Sequence, residues 1–148
     1  MAEPFSSKIR ISLARTHVDQ ITGHAREAAP QECCGLIGGA NGVVRSVYRA
    51  RNVAADPLVT YEAAPEDLFS AQRKMRERGE ELIAIYHSHP RSTDPQPSPT
   101  DVRLAYYPSA VYFIVGLRND EPCLRAFRIS ESEGRWEHVE FEIAADAN

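Results

Sequence analysis

Long apolar runs are missing from this chain. No stretch approaches the length of a bilayer span, and the opening Met1-Ala-Glu-Pro4 lacks the basic-then-apolar pattern of a secretory leader, so a soluble, cytoplasmic protein is expected. Cysteine is scarce as well. There are 3, Cys33, Cys34 and Cys123, odd in number and without a CxxC pair, so no disulfide framework is expected. Positive charge is not in excess: a net charge of −4 and no clustered basic tract leave no electrostatic footprint for nucleic acid. Repeats, low-complexity segments and interdomain linkers are also lacking. At 148 residues, with 43% hydrophobic and 26% charged composition, the chain holds apolar material for one sizeable core and no room for two ordinary domains. One domain over residues 1–148 is expected, with its core in about residues 8–143 and a frayed end from Ala144 to Asn148.

What is present is an alternation of strand and helix signals, which points to a mixed α/β fold. Ile9 to Leu13 reads as a strand, and Thr16 with Asp19 three residues on starts a helix that carries Val18, Ile21, Ala25 and Ala28 on one face. Pro30 ends it. Cys33 to Ile37 and Val43 to Ala50 read as strands around the Gly38-Gly-Ala-Asn-Gly42 turn. The glycine pair there makes no phosphate loop, because neither a following helix nor a Lys-Ser/Thr supports it. A short strand is expected near Val59 to Glu62, then a helix from Pro65 with Leu68, Gln72 and Met75 on one side. Leu82 to Tyr86 is a short β-branched run and reads as a buried strand. A helix from Pro99 follows, then strands at Ala110 to Leu117, Pro122 to Ile129 and Trp136 to Ile143 in an antiparallel meander.

The chemistry gathers where the buried strand ends. His87 and His89 stand one residue apart, and in a strand such positions share a side with Cα atoms roughly 6.6 Å apart, so two imidazoles can aim at one point. Pro90, Pro95, Pro97 and Pro99 stiffen the following loop, which can carry Asp101 back to the strand end. Two imidazoles and one carboxylate, with a fourth position left to water, describe a catalytic rather than a structural zinc site. Iron and manganese share those ligand types. A metal hydrolase also needs a general base, and Glu32 is the best placed, after Pro30 at the mouth of the Cys33 to Gly38 segment.

Each piece also has a plainer reading. Ser98-Pro99-Thr100-Asp101 is an ordinary helix start, with Ser at the N-cap, Pro at N1 and an acid at N3. Glu32 alone would pass for an exposed loop glutamate. A Cys34 and His87 dyad is a conceivable hydrolytic alternative, although nothing marks either cysteine as exposed or activated. His17, His24 and His138 read as solvated or core-edge residues. It is the joint occurrence of a same-face histidine pair, a returning carboxylate and a hydroxyl that favours a metal site.

Glu32, then His87-Ser-His-Pro90, then Pro97-Ser98-Pro-Thr-Asp101 resembles the signature of the JAMM metalloproteases, also called the MPN or JAB domain family. The likeness runs from about Lys8 to Ile143. The interval between His89 and Asp101 is one residue longer than in the eukaryotic deubiquitinating members and is similar to the prokaryotic branch. Within that branch the chain resembles hydrolases that trim the tails of ubiquitin-like sulfur-carrier proteins, including those that release cysteine from a carrier adduct. The resemblance implies one JAB/MPN-type α/β domain, a mixed, mainly antiparallel sheet flanked by helices with cytidine-deaminase-like layering. It implies that His87, His89 and Asp101 hold Zn2+, that Glu32 takes the proton of the attacking water and returns it to the leaving amine, and that Ser98 steadies the oxyanion. The implied substrate is the extended tail of a carrier protein, lying beside an exposed strand near the metal. The alternative is a metal-containing module that binds such tails without cutting them. A zinc nucleobase deaminase is excluded, since those enzymes pair an H-x-E with a PCxxC element and no such pair is present.

Overall fold

Near-continuous apolar runs such as Val111 to Val115 call for a sheet buried on both faces, and the computed structural model, which describes residues 10–145, shows one. Eight strands, β1 (Ile11–Ala14), β2 (Cys34–Ala40), β3 (Val43–Ala50), β4 (Glu81–His89), β5 (Val111–Gly116), β6 (Cys123–Ser130), β7 (Arg135–His138) and β8 (Phe141–Ala144), form one sheet in the order β7-β6-β5-β4-β2-β3-β1-β8. Three helices, α1 (Arg15–Ala28), α2 (Pro65–Arg78) and α3 (Pro99–Arg103), complete the α/β fold. Four of the seven pairings are antiparallel, and β1 with β3, β1 with β8 and β4 with β5 are parallel, which makes the sheet mixed and mainly antiparallel as expected. Lys8 and Ile9, and the tail from residue 146, lie outside the described residues. Among those described, no helix is long and apolar enough to cross a membrane.

The helical period seats α1 on one face. Val18, Ile21 and Ala25 pack against Ala84, Tyr86, Phe113 and Val115. On the other face Ala71 and Met75 of α2 meet Leu36 and Tyr48. Residues adjacent on a strand therefore serve different layers.

Several boundaries differ from expectation for local physical reasons. The first helix begins at Arg15, one residue before Thr16: Ala14 is the N-cap, and its N–H is accepted by the His17 Nδ1 at 3.3 Å. The strand β2 runs on through Gly38, Gly39 and Ala40, and the turn is confined to Asn41 and Gly42, both at positive φ (55° and 77°), as a tight two-residue hairpin needs. Val59 to Glu62 forms no strand; an isolated bridge between Asn52 and Ala63 stands instead. Trp136 to Ile143 divides in two. β7 pairs with β6, while β8 crosses to β1 at the far edge, and with only Val139 and Glu140 between them the sheet must curl until its edges come within roughly 10 Å.

Candidate metal centre

The β4 strand ends between two neighbours, β2 and β5, so the side chains at its mouth are held on both sides. Cys34 lies across from His87 and Gly116 across from His89. Gly116 has a spatial reason to be glycine: a Cβ there would come within 2.6 Å of the Ser92 carbonyl, where the proline-rich loop passes over the sheet. That close passage lets the loop deliver α3 back to the strand end.

The side chains converge. His87 Nε2 and His89 Nε2 are 3.2 Å apart, and Asp101 Oδ2, from the first turn of α3, lies 3.1 Å from the former and 3.0 Å from the latter. Donors that share one tetrahedral ion at bonds of about 2.0–2.1 Å stand about 3.3 Å apart. The observed triangle is close to that, and two imidazole nitrogens with a carboxylate oxygen suit a borderline-soft divalent ion. Glu32 contributes a carboxylate oxygen that, with a nitrogen from each histidine, forms a group mutually within 4.8 Å. Its Oε1 and the Nδ1 of His87 are buried without a hydrogen-bond partner, the condition of polar atoms built to meet something other than the fold itself.

Ser98 is an N-cap, as its plainer reading held. Its Oγ accepts the Asp101 N–H at 3.0 Å, and its own N–H donates to Asp101 Oδ2 at 2.9 Å. The capping box therefore aims the carboxylate. Accepting a bond leaves the Ser98 O–H free to donate elsewhere, and the residue is only half-buried.

Electrostatics separates the two carboxylates. Burial opposes ionisation of Asp101, but the charge and hydrogen bond of His87, the bond of His89 and the Ser98 N–H outweigh it and hold the carboxyl well below its ordinary range. Glu32 has no such partners: burial, opposed by His89 and reinforced by Asp101, pushes it up to about 7. Burial lowers His87, with Asp101 working against the shift. His89, although burial lowers it, ends raised by the hydrogen bond and charge of Asp101 and by Glu32.

The cysteine alternative does not survive. Cys34 is 1% exposed, its Sγ donates to the Ala50 carbonyl at 3.7 Å, and burial pushes its thiol up to about 12. It stays a protonated core group. Among the described residues the expected exposed strand does not border the histidines, since β2 and β4 each have two neighbours and the free edges are β7 and β8. The segment bordering the site is instead the connection of residues 51–64. Together with Leu104, Tyr106 and Tyr107 it walls a largely apolar cleft of about 620 Å³.

Three residues near the centre escaped the sequence. Ser88, between the histidines, accepts the Cys33 N–H through Oγ at 2.8 Å and donates its N–H to the Cys33 carbonyl at 3.2 Å, which pins the residue after Glu32. Tyr61 stacks on His87 with centroids 4.4 Å apart and planes at 26°. Asn52 bonds the Glu32 carbonyl at 2.9 Å. A lone Asn or Tyr in a loop carries no periodic signal.

Comparison with known proteins agrees with this geometry. The family described as prokaryotic homologs of the JAB domain matches residues 14–130. The chain is 41% identical over 111 residues to a desampylase of Haloferax volcanii, covering 71% of this chain and 79% of that one. It is 34% identical over 114 residues to the CysO-cysteine peptidase of Mycobacterium bovis, covering 76% and 77%. The solution structure of protein DSY2949 from Desulfitobacterium hafniense superposes with a TM-score of 0.81 at 30% identity, covering 92% of this chain and 94% of that one. A family match over most of the chain, relatives named a desampylase and a peptidase, and a fold that closes histidines and carboxylates on one point lead to one statement: this chain belongs to the prokaryotic branch of the JAB, or JAMM, family and is a peptidase of that family.

Proposed function

We propose that this peptidase hydrolyses an amide bond at the C-terminal tail of a ubiquitin-like sulfur-carrier protein, with His87, His89 and Asp101 holding a zinc ion. The observation that carries the reading is the triangle of Nε2, Nε2 and Oδ2 with sides of 3.0–3.2 Å, assembled from β4 and α3 and faced by an unpartnered Glu32. When bound by His87, His89 and Asp101, such an ion would supply Lewis acidity toward a carbonyl and lower the pKa of a water toward neutrality. Glu32 accepts that water's proton and hands it to the leaving amine. A carboxyl poised near 7 suits both directions of transfer. The Ser98 hydroxyl, its lone pair already engaged by Asp101, donates to the oxyanion of the tetrahedral intermediate. Asp101 stays ionised throughout, as a ligand must.

The substrate class is supported by two relatives, one named a desampylase and the other a CysO-cysteine peptidase. The apolar cleft that Tyr61 lines offers walls for an extended segment, and the same Tyr61 ring lies on His87. The test is metal content and tail loss measured together by mass spectrometry on wild type and Glu32→Gln, with the host's own carrier bearing extra C-terminal residues. Zinc in both proteins and tail loss only for wild type is expected. Zinc without cleavage of any carrier would turn the reading to a binding module, and no metal in either protein would overturn the site.

A further inference from the structure

The connection of residues 51–64 is built round one side chain. Asn52 follows β3, and its amide uses its whole hydrogen-bonding capacity inside the fold. Nδ2 donates to the Glu32 carbonyl at 2.9 Å and the Thr60 carbonyl at 3.0 Å, while Oδ1 accepts the N–H of Ala54 at 3.0 Å and of Glu62 at 3.1 Å. The Glu32 N–H donates to the Pro57 carbonyl at 2.8 Å, so the same connection grips the Glu32 main chain from both sides. Tyr61 stands between the two residues that Asn52 holds on the return, and its ring lies on the His87 imidazole.

That stacking has a specific job. A histidine that binds metal through one nitrogen usually has its ring oriented by a hydrogen bond at the other. His87 has none, since its Nδ1 is buried and unpartnered. The second torsion of histidine is broad, and swinging the ring would carry Nε2 out of the triangle. The face of Tyr61 blocks that swing.

We infer that Asn52 and Tyr61 are positioning residues for the metal centre: Tyr61 holds the plane of His87, and Asn52 holds Tyr61 and the Glu32 main chain in one frame. The inference rests on the proposed roles of His87 and Glu32, and neither new residue touches the reacting atoms. A purely structural Asn52 would make its variants less stable without changing how tightly the folded protein holds zinc.

The experiment is zinc affinity by chelator competition on the full chain, beside the melting temperature of each metal-free protein. Tyr61→Phe keeps the stacked ring and stays within about twofold of wild type, whereas Tyr61→Leu and Asn52→Ala each bind zinc about tenfold or more weakly. Because Asn52 acts on His87 through Tyr61, the double variant is little weaker than the worse single one. With a carrier substrate, Asn52→Ala lowers kcat and leaves KM unchanged. Where Asn52→Ala fails to fold, Asn52→Asp keeps the shape and loses both donors, and the same weakening is expected. Wild-type affinity in Tyr61→Leu, or losses that multiply in the double variant, would overturn the inference while leaving the metal reading intact. A wild type that takes up no zinc would instead overturn that reading and the inference with it.

Discussion

Tyr86 and His87 are neighbours on one strand, both buried, and each meets a titratable partner on its own face of the sheet. Tyr86 points under α1, where its hydroxyl and the His24 Nδ1 are 2.7 Å apart. Burial, helped by the Arg49 charge, lowers His24 to about 4, and burial drives the Tyr86 hydroxyl far above its ordinary value, so this pair is neutral at every working pH. His87 points the other way, toward an Asp101 that its surroundings hold ionised. The difference lies in who else is present. The Tyr86 face is closed by apolar side chains of α1, whereas the His87 face meets a second histidine, a helix start aimed by Ser98 and the unpartnered Glu32. Strand alternation puts Tyr86 and His87 on opposite sides of β4, one among packing residues and the other at the candidate site.

The sharpest way to break this contrast is on the chemical face. Glu32→Gln keeps the shape of the side chain and removes the proton carrier, and turnover of a carrier tail is expected to fall by about 10²–10⁴-fold while zinc content is unchanged. Steady-state kinetics with elemental analysis of the same sample checks it.

Ser98 serves both the fold and the proposed chemistry, and two substitutions separate the roles. Ser98→Ala and Ser98→Gly both delete the hydroxyl and should each lose roughly 10²–10³-fold in kcat. Only the alanine should also cost about 1 kcal/mol of stability, because glycine is tolerated at an N-cap. A lower melting temperature for the alanine variant alone, with full activity in both, would return Ser98 to its plain capping role.

A third test uses pH. The native Glu32 carboxyl, at about 7, holds its proton more tightly than the unfolded chain does near 4.5, so the folded state binds more protons between those values and its stability falls as pH rises through them. In metal-free protein this contribution is complete below about 4.5 and is lost by about 7. Glu32→Gln lacks it. Denaturant titrations should therefore show the variant gaining on wild type by up to about 3 kcal/mol across that window. A constant difference would mean that Glu32 is not held neutral by burial.

The smallest effect belongs to the packing face. Tyr86→Phe strands the His24 nitrogen and should cost about 1 kcal/mol in denaturant midpoint. Tail cleavage is expected to stay at the wild-type rate, and a large loss would mean that the two faces of β4 are coupled.

How much of this could be read beforehand depended on periodicity. Val43 to Ala50, the helix from Pro65 and the strand that ends in His87 and His89 declare themselves through alternation or helical spacing, and the structure has them at those places. Val59 to Glu62 was read as a strand because its residues favour one, yet the Thr60 carbonyl and the Glu62 N–H are met by the Asn52 side chain, and Val59 and Thr60 donate back to Asp56. Trp136 to Ile143 carries one apolar pattern, but its two halves pair at opposite edges. The choice was made by β1 and by Phe141 packing edge-on to Phe113 at 5.2 Å.

By itself the sequence determined the donor types, their order along the chain and the strand and helix start that carry them, because these follow from local rules of side-chain alternation and capping. It also determined the mixed α/β class. Only the tertiary structure decided that three atoms from two elements close to 3.0–3.2 Å, that Glu32 faces them without a partner, and that Tyr61 lies on His87. Those are contacts between residues far apart in sequence. Their geometry is set by sheet pairing, by loop passage over Gly116 and by burial, none of which a local pattern encodes.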